Sequence, residues 1–109
     1  MRLTAENAMT SLAENSGRTS SELFKHGSLV LRICKPDKVD LQTPHSRDEA
    51  YLVISGSGFF MNSGTRRPFQ AGEFLFAAAG AEHRFEEFTD DFATWVIFYG
   101  PDGGEAAGA

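Results

Sequence analysis

The stretch TPHSRDEAYLVISG, residues 43–56, decides how the rest of the chain is read. It opens on a polar, proline-containing turn, runs into Tyr51, Leu52, Val53 and Ile54, and stops at Ser55-Gly56. An aromatic and β-branched run bounded by turn formers specifies a β-strand. Side chains alternate along an extended chain, so His45, Glu49, Tyr51 and Val53 fall on one face. That face grades from an imidazole and a carboxylate at one end to apolar groups at the other, which sets a polar pair at the mouth of a core.

The same pattern repeats outward. Short runs rich in Val, Ile, Leu, Phe and Tyr occupy residues 28–34, 49–55, 58–62, 73–77, 83–88 and 92–99. Lys35-Pro36-Asp37, Asn62-Ser63-Gly64, Ala71-Gly72, Ala79-Gly80 and Thr89-Asp90-Asp91 separate them, all turn-forming combinations. No connection is long enough for a crossover helix, so six antiparallel strands closing a small barrel are expected. Arg66 and Arg67, between Gly64 and Pro68, read as part of a polar hairpin connection. A single helix is expected within residues 3–15, capped by Thr4 and ended by Ser16-Gly17, with Ala5, Ala8, Met9 and Leu12 on one side. The chain divides into a helical extension over 1–27, a barrel over 28–100 and a flexible Gly/Ala-rich tail over 101–109.

Composition narrows the function. The 109 residues allow one domain and one core, and 41% apolar content with ten Phe is ample to fill it. Ten basic residues against fifteen acidic give a net charge of −5, without the clustered cations that neutralise nucleic-acid phosphates. Cys34 is the only cysteine, which excludes a disulfide within the chain and a cysteine zinc cage. No run is long and apolar enough for a signal peptide or a membrane-spanning helix. A cytoplasmic protein without nucleic-acid or membrane partners is the expectation.

Of the three histidines, His26 sits beside Gly27 and is assigned to a surface turn, whereas His45 and His83 each open a strand just after a turn. His45 and Glu49 from one strand, met by His83 from another, would make a two-histidine, one-carboxylate face. Such a face suits iron(II), manganese(II) and related ions while leaving coordination positions open.

These residues resemble the cupin superfamily. Its first motif, Gly, five residues, His-x-His, three or four residues, Glu, six residues, Gly, is matched in its second half by His45, Glu49 and Gly56. Its second motif, Gly, five residues, Pro-x-Gly, two residues, His, three residues, Asn, is matched by Gly72, Gly80 and His83. Thr43 stands at the first motif histidine, Ala78 at the proline and Glu87 at the asparagine, so three of the usual four ligands remain. Thr43 and Gln42 are the candidates for the fourth place, Gln42 through its amide oxygen.

The resemblance implies a jelly-roll barrel with a divalent ion (Fe, Mn, Ni or Zn) held by His45, Glu49, His83 and Gln42. It implies a metal-dependent enzyme acting on a small organic molecule, dioxygenase-like or isomerase-like, with a non-catalytic ligand-binding or sensor module as the alternative. Tyr51 is the candidate catalytic hydroxyl, and Arg32 would pair with a substrate carboxylate if it points inward. Trp95, Ile97 and Tyr99, or their alternates, should face in from the last strand. Strand edges left by a small barrel, together with the helix, point to a homodimer.

Overall fold

A computed structural model describes residues 1–15 and 18–106. Helix α1 spans Ala5–Glu14, and its first turn closes as a capping box. The Asn7 N–H donates to Thr4 Oγ1 at 3.0 Å, and the Thr4 N–H donates to Asn7 Oδ1 at 3.2 Å. Asn15 is the C-cap, and the expected stop at Ser16-Gly17 lies outside the described residues. No described helix is long and apolar enough to cross a membrane.

Eight strands follow among the described residues: β1 Ser20–His26, β2 Leu29–Cys34, β3 Asp48–Ser55, β4 Ser57–Asn62, β5 Thr65–Gln70, β6 Phe74–Ala77, β7 His83–Glu86 and β8 Ala93–Tyr99. They form a five-stranded sheet in the order β1-β2-β8-β3-β6 and a three-stranded sheet in the order β5-β4-β7. Every described pairing is antiparallel. This is the expected all-β jelly roll, with two strands beyond the six read from the sequence. β1 lies inside the segment expected as a helical extension, and His26 is its last residue, at the hairpin corner with Gly27. β5 contains Arg66 and Arg67, expected in a turn. Arg66 instead holds its guanidinium carbon over the Phe59 ring, 3.8 Å from the centroid, and pairs with Glu86 and Glu87.

Alternation along each strand sorts the side chains into two interiors. Tyr51, Val53 and Val96 from the large sheet meet Phe60, Phe69 and Phe85 from the small one, with Phe92 between them. The rings interlock at centroid distances of 4.7 Å for Phe85–Phe92, 4.9 Å for Phe69–Phe92 and 5.2 Å for Phe60–Phe85. On the other side of the large sheet, α1 lays Ala8 and Leu12 over Ile33, flanked by Trp95 and Ile54. Of the two faces of β8, it is therefore Thr94, Val96 and Phe98 that point into the barrel, while Trp95 packs beneath the helix.

Gly56 links β3 to β4 where the backbone passes closest to Phe92. Its φ is +82°, and a Cβ there would lie 2.6 Å from Phe92 Cα, closer than any side chain can approach. Phe92 is fully buried at the centre of the aromatic cluster. Phe92→Ala is expected to cost about 3–5 kcal/mol of stability, readable in urea unfolding. A loss under about 1 kcal/mol would mean that this cluster does not hold the sheets together.

Candidate functional site

The two sheets deliver the site from opposite sides. Glu49 is the second residue of β3, paired with Phe98 of β8 and Ala77 of β6. His83 is the first residue of β7, opposite Asn62 of β4. His45 precedes β3 by three residues in an irregular segment, so it does not open a strand as the sequence suggested. Its imidazole nevertheless reaches the carboxylate. Glu49 Oε2 is 3.3 Å from His83 Nε2 and 3.6 Å from His45 Nε2. One potential ligand atom from each of the three residues lies within 4.8 Å of the others.

His45 is held from outside its own segment. The Gly80 N–H donates to the His45 carbonyl at 2.7 Å, and the Gly103 N–H to the Ser46 carbonyl at 2.6 Å. Asp48 is buried beside the site, its two oxygens accepting the Ala79 N–H at 2.9 Å and the Glu105 N–H at 2.8 Å. Those bonds hold its carboxyl below the usual range. The 101–106 part of the tail, expected to be flexible, is thus bonded to the segment carrying His45 and Glu49.

The protonation of His83 follows from its partners. Its Nδ1 lies 2.8 Å from the Ala81 carbonyl, which can only accept, so a neutral ring carries its hydrogen on Nδ1. Nε2 then turns a lone pair toward the Glu49 carboxylate, two acceptors facing each other. Both Nε2 and Glu49 Oε2 are buried without a hydrogen-bond partner. A proton or a cation shared between them relieves that confrontation. Burial pulls the His83 pKa down, but bonding to Glu49 and the Ala81 carbonyl and the charges of Glu49 and Asp40 outweigh it, so the net shift is upward.

Tyr51, Gln42 and Arg32 line a cavity of about 710 Å³. Tyr51 is 1% exposed, and its hydroxyl donates to Gln42 Oε1 at 3.4 Å. Burial foremost, then the Glu49 charge, pushes its ionisation far above the usual phenol range, so Tyr51 stays a hydroxyl. Gln42 in turn donates its side-chain N–H to Asp40. Thr43 is exposed. Arg32 and Cys34 line the cavity from β2, and burial leads in raising the Cys34 thiol to about 12, which keeps it protonated and unreactive. Glu87, at the place of the motif asparagine, has a φ of +48° and turns outward to Arg66. Asp40 escaped the sequence reading: its carboxylate accepts the Phe85 N–H at 2.8 Å and pins the irregular segment to β7. No pattern in the sequence marked it.

The Cupin domain model matches residues 31–99. The chain belongs to the cupin family. An uncharacterized protein of Streptomyces coelicolor is 30% identical over 63 residues, covering 58% of this cupin and 60% of that protein. The chain therefore matches less than two thirds of that relative's length. Among solved structures, a Cupin 2 conserved barrel domain protein from Salinispora arenicola is 20% identical, with a TM-score of 0.62 over 74% of each chain. One from Leptotrichia buccalis is 24% identical with a TM-score of 0.66, over 78% of this cupin and 42% of that chain. At these identities the structural likeness speaks for the barrel alone.

With no ion bound, protonated His83 stabilises this cupin fully below the ordinary imidazole pKa, and the contribution fades as pH rises through the raised value. In an NMR titration of that form, the His83 ring should titrate above the ordinary 6.5. Glu49→Gln should lower the midpoint. A wild-type midpoint at or below 6.5 would contradict the pairing with Glu49.

Proposed function

We propose that this cupin is a metal-dependent enzyme acting on a small organic molecule, with the ion held by His45, Glu49 and His83. The observation that carries the reading is the pair of buried, unpartnered acceptors, Glu49 Oε2 and His83 Nε2, with the His45 imidazole beside them. Two imidazoles and a carboxylate fit iron, manganese, nickel or zinc. The Ala81 carbonyl gives His83 the outer hydrogen bond that a metal-ligating histidine ordinarily makes, fixing its ring and tautomer. When bound, a divalent ion supplies Lewis acidity to a substrate carbonyl or hydroxyl oxygen.

The chain's own groups define what else happens in the cavity. Phe85, Val96 and Phe98 give it an apolar wall that favours a carbon skeleton over water. Tyr51, kept protonated, acts as a hydrogen-bond donor to a ligand oxygen and not as a base. Gln42 shares the space, and its amide oxygen would have to leave the Tyr51 hydroxyl to serve as a fourth ligand. Dioxygenase-like and isomerase-like reactions both use such a centre.

Protein purified without a polyhistidine tag and dialysed against Fe(II), Mn(II), Ni(II) or Zn(II) should retain about one equivalent of at least one ion. His83→Ala and Glu49→Gln should each weaken its binding at least about ten-fold without unfolding the barrel. Retention that is unchanged in both variants would overturn the site. Turnover is then sought with the loaded protein, by oxygen uptake and by NMR of substrate panels. Stoichiometric metal with no turnover would favour the non-catalytic ligand-binding module.

A further inference from the structure

Arg32 occupies the interior of the barrel without a described acidic partner. Along β2, Ile33 is fully buried beneath α1, so alternation turns Arg32 to the opposite face, where it lines the same cavity as His45 and Glu49. Register places it across from Val96 of β8, which lies across from Tyr51 of β3. Two strand spacings separate the Arg32 and Tyr51 backbones, about 10 Å. The guanidinium is also held in orientation, because its Nε donates to Ser20 Oγ at 3.0 Å.

Its charge is what calls for a ligand. Arg66 and Arg84 each pair with carboxylates, but among the described residues no acidic side chain forms an ion pair with Arg32. It is half-buried and, among the described residues, is the only Lys or Arg lining the cavity. A partly desolvated cation facing an apolar wall is stabilised by an anion that can accept its parallel N–H donors, and a carboxylate matches that fork. Charge balance selects the type of anion. Asp37, Asp40 and Glu49 line the same space, so each further negative charge on a ligand meets added repulsion, and a monoanion held at the guanidinium is disfavoured less than a phosphate dianion.

We propose that the cavity takes a small monocarboxylic acid whose carboxylate is bound by Arg32 and whose body points along the inner sheet toward Tyr51 and Glu49. A cavity of about 710 Å³ accommodates a molecule of one ring. The placement of the acid's far end rests on the metal-centre reading above, while the Arg32 contact does not.

The test uses 4-fluorobenzoate and its uncharged counterpart 4-fluorobenzamide, titrated by fluorine NMR against the full chain in metal-stripped and Zn(II)-loaded forms, with bound zinc measured separately. The benzoate should bind about ten-fold more tightly than the amide in both forms. Arg32→Gln should erase that preference, and Arg32→Lys, a point charge without the fork, should retain only part of it. Melting temperatures verify that each variant is folded, and if Arg32→Gln does not fold, Arg32→Lys is read in its place. A preference for benzoate confined to the zinc form and surviving Arg32→Gln would assign the carboxylate to the ion and overturn the inference while leaving the metal centre standing. Equal binding of the two probes, no binding of either, or an Arg32→Lys protein that keeps the full preference would likewise overturn it. An Arg32-dependent preference in protein that retains none of Fe(II), Mn(II), Ni(II) or Zn(II) would support the Arg32 contact and sink the metal centre.

Discussion

The arrangement turns on a carboxylate that is 2% exposed, Glu49, facing two imidazoles inside a barrel of aromatic rings. A buried charge is strongly unfavourable unless matched, and breaking such a match costs more than never having made it. Here the match is conditional. The Ala81 carbonyl fixes the hydrogen of neutral His83 on the far nitrogen, so the near nitrogen and the Glu49 oxygen are two acceptors 3.3 Å apart. A proton satisfies them at low pH. As the pH rises, the same lone pairs become available to a divalent cation, which the proposed function places there.

The fold is organised to keep that confrontation from relaxing. β3 and β7 belong to different sheets, and the Phe60, Phe85 and Phe92 rings behind the site prevent the sheets from drifting apart. His45 comes from a segment with no strand pairing of its own and is fixed by hydrogen bonds from Gly80 and, one residue on, Gly103. Asp48 ties the start of β3 to the loop that delivers His83 and to the C-terminal segment. His45, Glu49 and His83 are thus coupled through backbone bonds as well as through their shared charge.

Much of this was legible in the sequence because it depends on alternation. The shared parity of Glu49, Tyr51 and Val53, and the glycine spacing around His83, gave the barrel; His45 lies outside the strand whose parity suggested it and meets Glu49 from an irregular segment. What escaped depends on exceptions to alternation or on distant contacts. β1 carries a bulge between Glu22 and Phe24, which sets Leu23 and Phe24 side by side instead of on alternate positions. β5 holds two arginines and Pro68, with only Phe69 buried, a composition tolerated because it is an edge strand. The inward direction of Arg32 became readable only once Ile33 was seen beneath α1. Asp40 and Asp48 accept backbone N–H groups far away in the chain, which no local pattern announces.

The most direct measurement is paramagnetic relaxation in amide NMR spectra as Mn(II) is added up to one equivalent. The expected result is broadening that is strongest at the amides of His45, Glu49 and His83, next strongest at Tyr51 and Phe98, and weaker in α1. Broadening centred on the exposed acids Glu82 and Glu87 or on Asp102, or spread without a maximum, would contradict a metal centre inside the barrel.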